Sequence, residues 1–276
     1  MKSLKPRLLT AVIGIPCVLL IIFLSELWHP LLSIILSLVT ALMIGEYLYG
    51  NKMLKQFAVS IPCMLFGAGM CMLAGTPYMY ILIFALIIFE FFVIIIRHEH
   101  MDYSHLTYAL FGTLIITFGT GSIAYICQNG ISLSFFFVLI FAIPWMADAG
   151  GFFVGATLGK HKLCPKISPK KTVEGVVGGV IFCVLAAVGM GFLFRFVIIP
   201  DIKVHFVPLI IIGACDAVLS IVGDLSFSLI KRSLNIKDYG TMFPGHGGML
   251  DRFDSIIFTV PAVMIINYYL PFLSVG

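Results

Sequence analysis

The stretch PYMYILIFALIIFEFFVIII, Pro77–Ile96, holds twenty residues and a single charge, Glu90. A run so long and so apolar does not belong on a water-soluble domain. It matches the roughly twenty residues that an α-helix needs to cross the hydrocarbon core of a bilayer. The pattern recurs in both directions along the chain. Runs near 8–25, 31–49, 57–75, 77–96, 106–127, 131–158, 174–194, 205–230 and 256–274 read as nine spans. The sixth and eighth are longer than a bilayer requires and carry polar residues, which predicts tilt, a break or extension beyond the membrane. With 61% hydrophobic and 11% charged residues and a mean hydropathy of +1.11, the expected fold class is an all-α polytopic membrane protein.

Orientation follows from the basic residues. With nine spans and a cytoplasmic N-terminus, the inside segments hold Lys2, Lys5, Arg7, Lys52, Lys55, Arg97, Lys160, Lys162, Lys166, Lys170, Lys171, Lys231, Arg232, Lys237 and Arg252. Only Arg195 and Lys203 fall outside, so the bias is fifteen to two. That asymmetry predicts an inside N-terminus and an outside C-terminus. The net charge of +4 then reflects topology and gives no reason to invoke nucleic acid. The first run follows three basic residues as a signal peptide would, but it is long and lacks a small-residue cleavage site. It reads as a retained anchor.

Residues 1–130 read as an N-terminal region of about five helices. Residues 131–276 read as the catalytic region, about four helices with cytoplasmic loops at 159–173 and 231–255. In the first region Glu90 is the one oddity, either functional or simply protonated or paired with a neighbouring helix. The stretch RHEHMDYSH, 97–105, has metal-ligand residue types but reads as a short juxtamembrane segment. The seven cysteines are scattered with no Cys-x-x-Cys pair and read as small buried hydrophobes.

Three polar elements stand in the second region. In MADAGGFFVGATLGKHKLCPKISPKKTVEG, 146–175, Asp148 lies within a span, and Ser168, Lys170, Lys171 and Thr172 converge before the next helix. Hydroxyls, backbone N–H groups and cations at a helix N-terminus suit a phosphate. The glycines at 175, 178 and 179 read as close helix packing. Second, Asp216, Ser220, Asp224, Ser228 and Arg232 recur at spacing four, with Lys231 adjoining. They share one helical face that must look at a bundle interior or a water-filled cavity. Third, KDYGTMFPGHGGMLDRFD, 237–254, leads a glycine-rich turn into a helix where Asp251 and Asp254 share a face. Carboxylates from two helices suit a hard cation such as Mg²⁺, and the surrounding lysines and arginines suit a polyphosphate.

The segment Ser228–Asp254, SLIKRSLNIKDYGTMFPGHGGMLDRFD, resembles the signature of the phosphatidate cytidylyltransferase (CDP-diacylglycerol synthase) family along its whole length. It carries Ser-x-x-Lys-Arg, then Lys-Asp, His-Gly-Gly and Asp-Arg-x-Asp. GKHKLCPKISPKKTVEG, 159–175, resembles that family's lysine-rich loop, whereas the first 130 residues are similar in topology only. The resemblance implies transfer of CMP from CTP to phosphatidic acid, giving CDP-diacylglycerol and pyrophosphate for phospholipid synthesis. It also implies dependence on Mg²⁺ or another divalent cation, with room for a second cation. Metal-binding aspartates are implied at Asp224 and Asp251, with Asp148, Asp238 and Asp254 as weaker candidates. Lys231 and Arg252 join those two as catalytic candidates. Ser168, Lys170, Lys171, Thr172, Arg232, Lys237, Gly247 and Gly248 are candidates for substrate contacts, and His246 for orienting the substrate. The expected partners are CTP, phosphatidic acid and the lipid bilayer, with a homodimer left open. The expected location is a membrane, the cytoplasmic (inner) one if the chain is bacterial, with the site facing the cytoplasm. Two other readings stand beside this one: a CTP-dependent polyprenol or dolichol kinase, and a cation transporter.

Overall fold

The computed structural model describes residue 16 and residues 20–28, 30–99, 101–243 and 247–275. The chain is helical almost throughout: α1 (Pro30–Gly50), α2 (Phe57–Met72), α3 (Tyr78–Ile96), α4 (Tyr103–Asn129), α5 (Leu133–Leu158), α6 (Val173–Leu193), α7 (Phe206–Ser233) and α8 (Leu250–Tyr269). Among the described residues six helices are long and apolar enough to cross a membrane: α1, α3, α4, α5, α7, and α6 with the wide π turn that continues it to Ile198.

The difference from nine expected spans has physical causes. The run at 8–25 falls mostly outside the described residues. Helix α2 has 16 residues, about 24 Å at 1.5 Å per residue, short of the bilayer core. Helix α8 opens with Asp251, Arg252 and Asp254 and ends at Tyr269 rather than 274. Leu270 precedes Pro271, a position that disfavours the helical backbone. The chain beyond it forms a strand instead.

The helices group into two compact units. One comprises the chain up to Tyr125 together with Ser233–Phe253; the other comprises Ile126–Arg232 with Asp254–Gly276. In the first, Tyr47 of α1 stacks on Tyr108 of α4, centroids 4.2 Å apart. The Tyr108 hydroxyl donates to the Tyr47 carbonyl at 2.7 Å, and Tyr239 packs 6.1 Å away. Glu90 is buried and accepts a weak bond from the Cys63 thiol of α2 at 3.6 Å, so it is paired with a neighbouring helix. In the 97–105 stretch, Asp102 caps α4, accepting the N–H groups of Ser104 and His105 at 3.0 and 3.2 Å. The Ser104 hydroxyl first, then the His105 ring and the His105 N–H, all bonded to the Asp102 carboxyl, hold it down to about 2.

In the second unit α5 and α6 pack backbone to backbone through glycines. A methyl group on Gly150 would come within 2.7 Å of the Gly178 carbonyl, and one on Gly178 would collide with Val154. The close packing read for Gly178 and its neighbours is therefore present. Two short antiparallel pairs join the helix ends: β1 (Lys162–Cys164) with β2 (Ser168–Thr172), and β3 (Ile202–Val204) with β4 (Leu273–Val275). The β1–β2 hairpin lies before α6 and β3 after it, so the two pairs sit at opposite ends of that helix. Connectivity alone thus puts the lysine-rich hairpin, α7 near Arg232 and α8 near Asp254 at one end of the unit.

Candidate active site

The lysine-rich segment expected as a loop is a hairpin, and α6 holds it in place. Thr172 is the N-cap of α6, its hydroxyl oxygen accepting the Gly175 N–H at 3.1 Å. Glu174, in the first turn, accepts the N–H groups of Lys160 and His161 at 3.1 and 3.2 Å and meets His161 Nδ1 at 2.6 Å. Between the hairpin and the helices lies a cleft of about 240 Å³. Ser168, Lys170, Lys171, Thr172 and Asp148 line it together with Phe152, Val176 and Ile221. Such a cleft offers both cationic and apolar contacts to a molecule that has anionic and apolar parts.

Beside the cleft, Lys171 Nζ stands 2.5 Å from Asp224 Oδ2, with side chains 22% and 30% exposed. The two are in charge contact without the alignment of a hydrogen bond. Asp224 belongs to the face on α7 expected from the spacing of four, and burial grades along that face. Asp216 and Ser220 are buried with no hydrogen-bond partner among the described residues, Asp224 is part-exposed, and Arg232 is exposed. Near the end of α7, Lys231 Nζ lies 4.0 Å from Asp254 Oδ2, both side chains about 10% exposed. Asp254 Oδ1 also accepts the Ser255 N–H at 2.7 Å.

In the first unit the segment 233–253 is pinned by carboxylates. Asp251 Oδ2 accepts the N–H groups of Tyr239 (2.8 Å) and Gly248 (3.0 Å). Phe243 N–H bonds the Gly247 carbonyl at 2.9 Å, and Gly247 has φ +87°, a conformation glycine adopts freely. Lys237, Asp238 and Arg252 are exposed. His246 lies outside the described residues. Sequence reasoning missed Glu46, which accepts the N–H groups of Met249 (3.0 Å) and Leu250 (2.8 Å). A signal was there: Glu46 is the only charged residue between Pro30 and Gly50, the same oddity that drew attention to Glu90.

The site residues thus fall into two groups. Lys171 meets Asp224, and Lys231 approaches Asp254, in the second unit; Asp251 holds the glycine turn in the first. A model of the cytidylyltransferase family matches residues 5–270. The chain belongs to the cytidylyltransferase family. Several relatives bear the name phosphatidate cytidylyltransferase. That of Staphylococcus aureus (strain COL) is 33% identical over 287 aligned positions, covering 95% of this chain and 98% of its own. That of Rickettsia bellii (strain RML369-C) is 40% identical over 167 residues, 60% of this chain and 72% of its own. That of Bacillus subtilis (strain 168) is 39% identical over 134 residues, 49% and 46% respectively. As a cytidylyltransferase the chain is a nucleotidyltransferase enzyme.

The residues present fit a divalent cation. Among the described residues no three His, Cys, Asp or Glu side chains converge to hold a metal alone. Mg²⁺ does not require that, since it binds through one or two carboxylates and completes its shell with water and substrate phosphates. Asp224 already holds one cation, the Lys171 ammonium, in direct contact.

Proposed function

We propose that this cytidylyltransferase condenses CTP with phosphatidic acid, yielding CDP-diacylglycerol and pyrophosphate. The cleft carries the reading: cations, hydroxyls and apolar side chains line one space within a unit of membrane-length helices. A phosphatidate oxygen forms the new bond to the α-phosphorus of CTP. The bond from that phosphorus to the bridging oxygen of the β-phosphate breaks, and pyrophosphate leaves with the electron pair. Lys170, Lys171, Ser168 and Thr172 would hold a substrate phosphate. Lys231, Arg232, Lys237 and Arg252 are the remaining candidate phosphate contacts, with His246, Gly247 and Gly248 orienting the substrate. Asp224 and Asp251 would serve a divalent cation, Mg²⁺ first, with Asp148, Asp238 and Asp254 as weaker ligands. Such an ion, when bound, neutralises charge on the transferring phosphoryl group.

The fifteen-to-two bias of basic residues supports nine spans, an N-terminus in the cytoplasm and a site reached from that side, where CTP is found. In a bacterium the enzyme would sit in the cytoplasmic membrane. The names of the relatives favour this reading over a CTP-dependent lipid kinase or a cation transporter. Purified protein, labelled CTP, phosphatidic acid and Mg²⁺, with products identified by mass, provide the test. CDP-diacylglycerol with pyrophosphate is expected; a phosphorylated lipid with CDP would sink the proposal.

A further inference from the structure

We propose that Glu46 is a positioning residue for the reaction: from α1 it clamps the backbone that presents Asp251. This rests on the reading that Asp251 serves catalysis. Helix α8 begins at Leu250, and the first N–H groups of a helix have no partner within it. Here carboxylates take three consecutive N–H groups, two just before that start and the Leu250 N–H at it. Asp251 Oδ2 accepts from Gly248 at 3.0 Å, Glu46 Oε1 from Met249 at 3.0 Å, and Glu46 Oε2 from Leu250 at 2.8 Å. Asp251 adds the Tyr239 N–H at 2.8 Å, which ties in the far side of the turn.

The glycines agree with this. A methyl group on Gly248 would stand 2.6 Å from Glu46 Oε1, and one on Gly240 would stand 2.8 Å from Glu46 Cδ and collide with the same oxygen. Both glycines admit the Glu46 carboxylate. A substrate phosphate cannot also take the N–H groups of Met249 and Leu250, because Glu46 fills that helix end and its charge repels a second anion. The Met249 and Leu250 N–H groups are therefore held by an acid more than 200 residues away in sequence and are not open to a phosphate.

Glu46→Gln keeps the shape but turns one N–H-accepting oxygen into an NH₂ donor, so one of the two bonds is lost. The first measurement is hydrogen exchange of substrate-free protein, read on a peptide spanning 247–251. Exchange of the Met249 and Leu250 amides should rise at least tenfold. The second is steady-state kinetics: kcat should fall at least thirtyfold, while KM for CTP and for phosphatidic acid moves less than threefold. Glu46→Asp keeps the charge but is one methylene shorter, and should recover part of kcat. Faster exchange with unchanged kcat would reduce Glu46 to a structural cap, and unchanged exchange would remove the clamp; either overturns the proposal. If Glu46→Gln does not accumulate as folded protein, Gly240→Ala carries the test from the other side. It should push the Glu46 carboxylate away, raise exchange of the Met249 and Leu250 amides and lower kcat with KM little changed. Unchanged exchange, or faster exchange with unchanged kcat, would overturn the clamp. Failure of the unmutated enzyme to make CDP-diacylglycerol would instead strike the proposed function, and the exchange result would stand.

Discussion

Replacing Lys171 and Asp224 separately and together tests whether their contact is a structural tie or part of the working site. The pair lies at 2.5 Å with both side chains between a fifth and a third exposed. Exposed ion pairs contribute roughly 0–1 kcal/mol, and a pair only partly screened sits near the upper end. Loss of the pair should therefore cost about 1 kcal/mol, a drop of roughly 2–4 °C in the unfolding midpoint for a chain of this size. Catalytic losses should be much larger. Removing a preorganised charge at a site of phosphoryl transfer costs about 3–4 kcal/mol, so Asp224→Asn should lower kcat roughly 10²–10³-fold. Lys171→Ala removes a hydrogen bond to a charged group, about 1.5–3 kcal/mol, and should lower kcat/KM roughly 10–150-fold. Thermal unfolding in detergent and CDP-diacylglycerol formation should be measured on the same preparations. In stability the double mutant should recover part of the Lys171→Ala loss, because asparagine leaves no unpaired charge. In activity it should be worse than either single mutant, since the two residues serve different groups. Restoration of Lys171→Ala turnover by Asp224→Asn would show that the lysine only neutralises the aspartate. Near-normal turnover in Asp224→Asn alone would remove that residue from the mechanism.

Thr172→Ala deletes the N-cap of α6 and should cost about 1 kcal/mol, with Thr172→Ser restoring it; equal midpoints for alanine and threonine would contradict the cap. Asp216→Asn should leave stability no lower and turnover within about threefold, about 0.6 kcal/mol. The carboxylate is buried with no hydrogen-bond partner among the described residues, and an amide of the same shape buries no charge. A large loss would show that the acidic group itself is used. Reporters fused to the two ends should place the N-terminus in the cytoplasm and the C-terminus on the far side; both ends on one side would rule out nine spans.

The helices were legible because a bilayer demands long apolar runs, and those runs are visible residue by residue. The face on α7 was legible too, since a spacing of four survives as a gradient of burial from Asp216 to Arg232. The hairpin was hidden. Pro165 and Pro169 break the helical pattern in a segment too short for alternating apolar residues, and its order comes from Thr172, which read as a phosphate contact, and from Glu174, which no motif marked. The early end of α8 was hidden by Phe272 and Leu273, apolar residues that extend the run past Pro271 although they serve a strand. Glu46 was missed for a different reason. Its partners are backbone N–H groups more than 200 residues away, and no local pattern records such a bond.

The way charges are distributed in the second unit constrains how substrate can enter it. A lone charge in a weakly polar setting is expensive, and the acids at this end have cations or N–H donors beside them: Asp224 with Lys171, Asp254 with Lys231, Glu174 with His161. A phosphate entering the cleft by itself would draw Lys171 away and leave Asp224 uncompensated. A metal ion reaching Asp224 by itself would leave the ammonium uncompensated. When both arrive together, one ion pair is exchanged for two and no charge is left alone at any stage. A nucleotide already carrying its divalent cation brings the two in a single encounter. On the proposed function, Lys171 and Asp224 would then be opened by a metal–CTP complex, the lysine taking a phosphate and the aspartate the cation, more readily than by either ion alone.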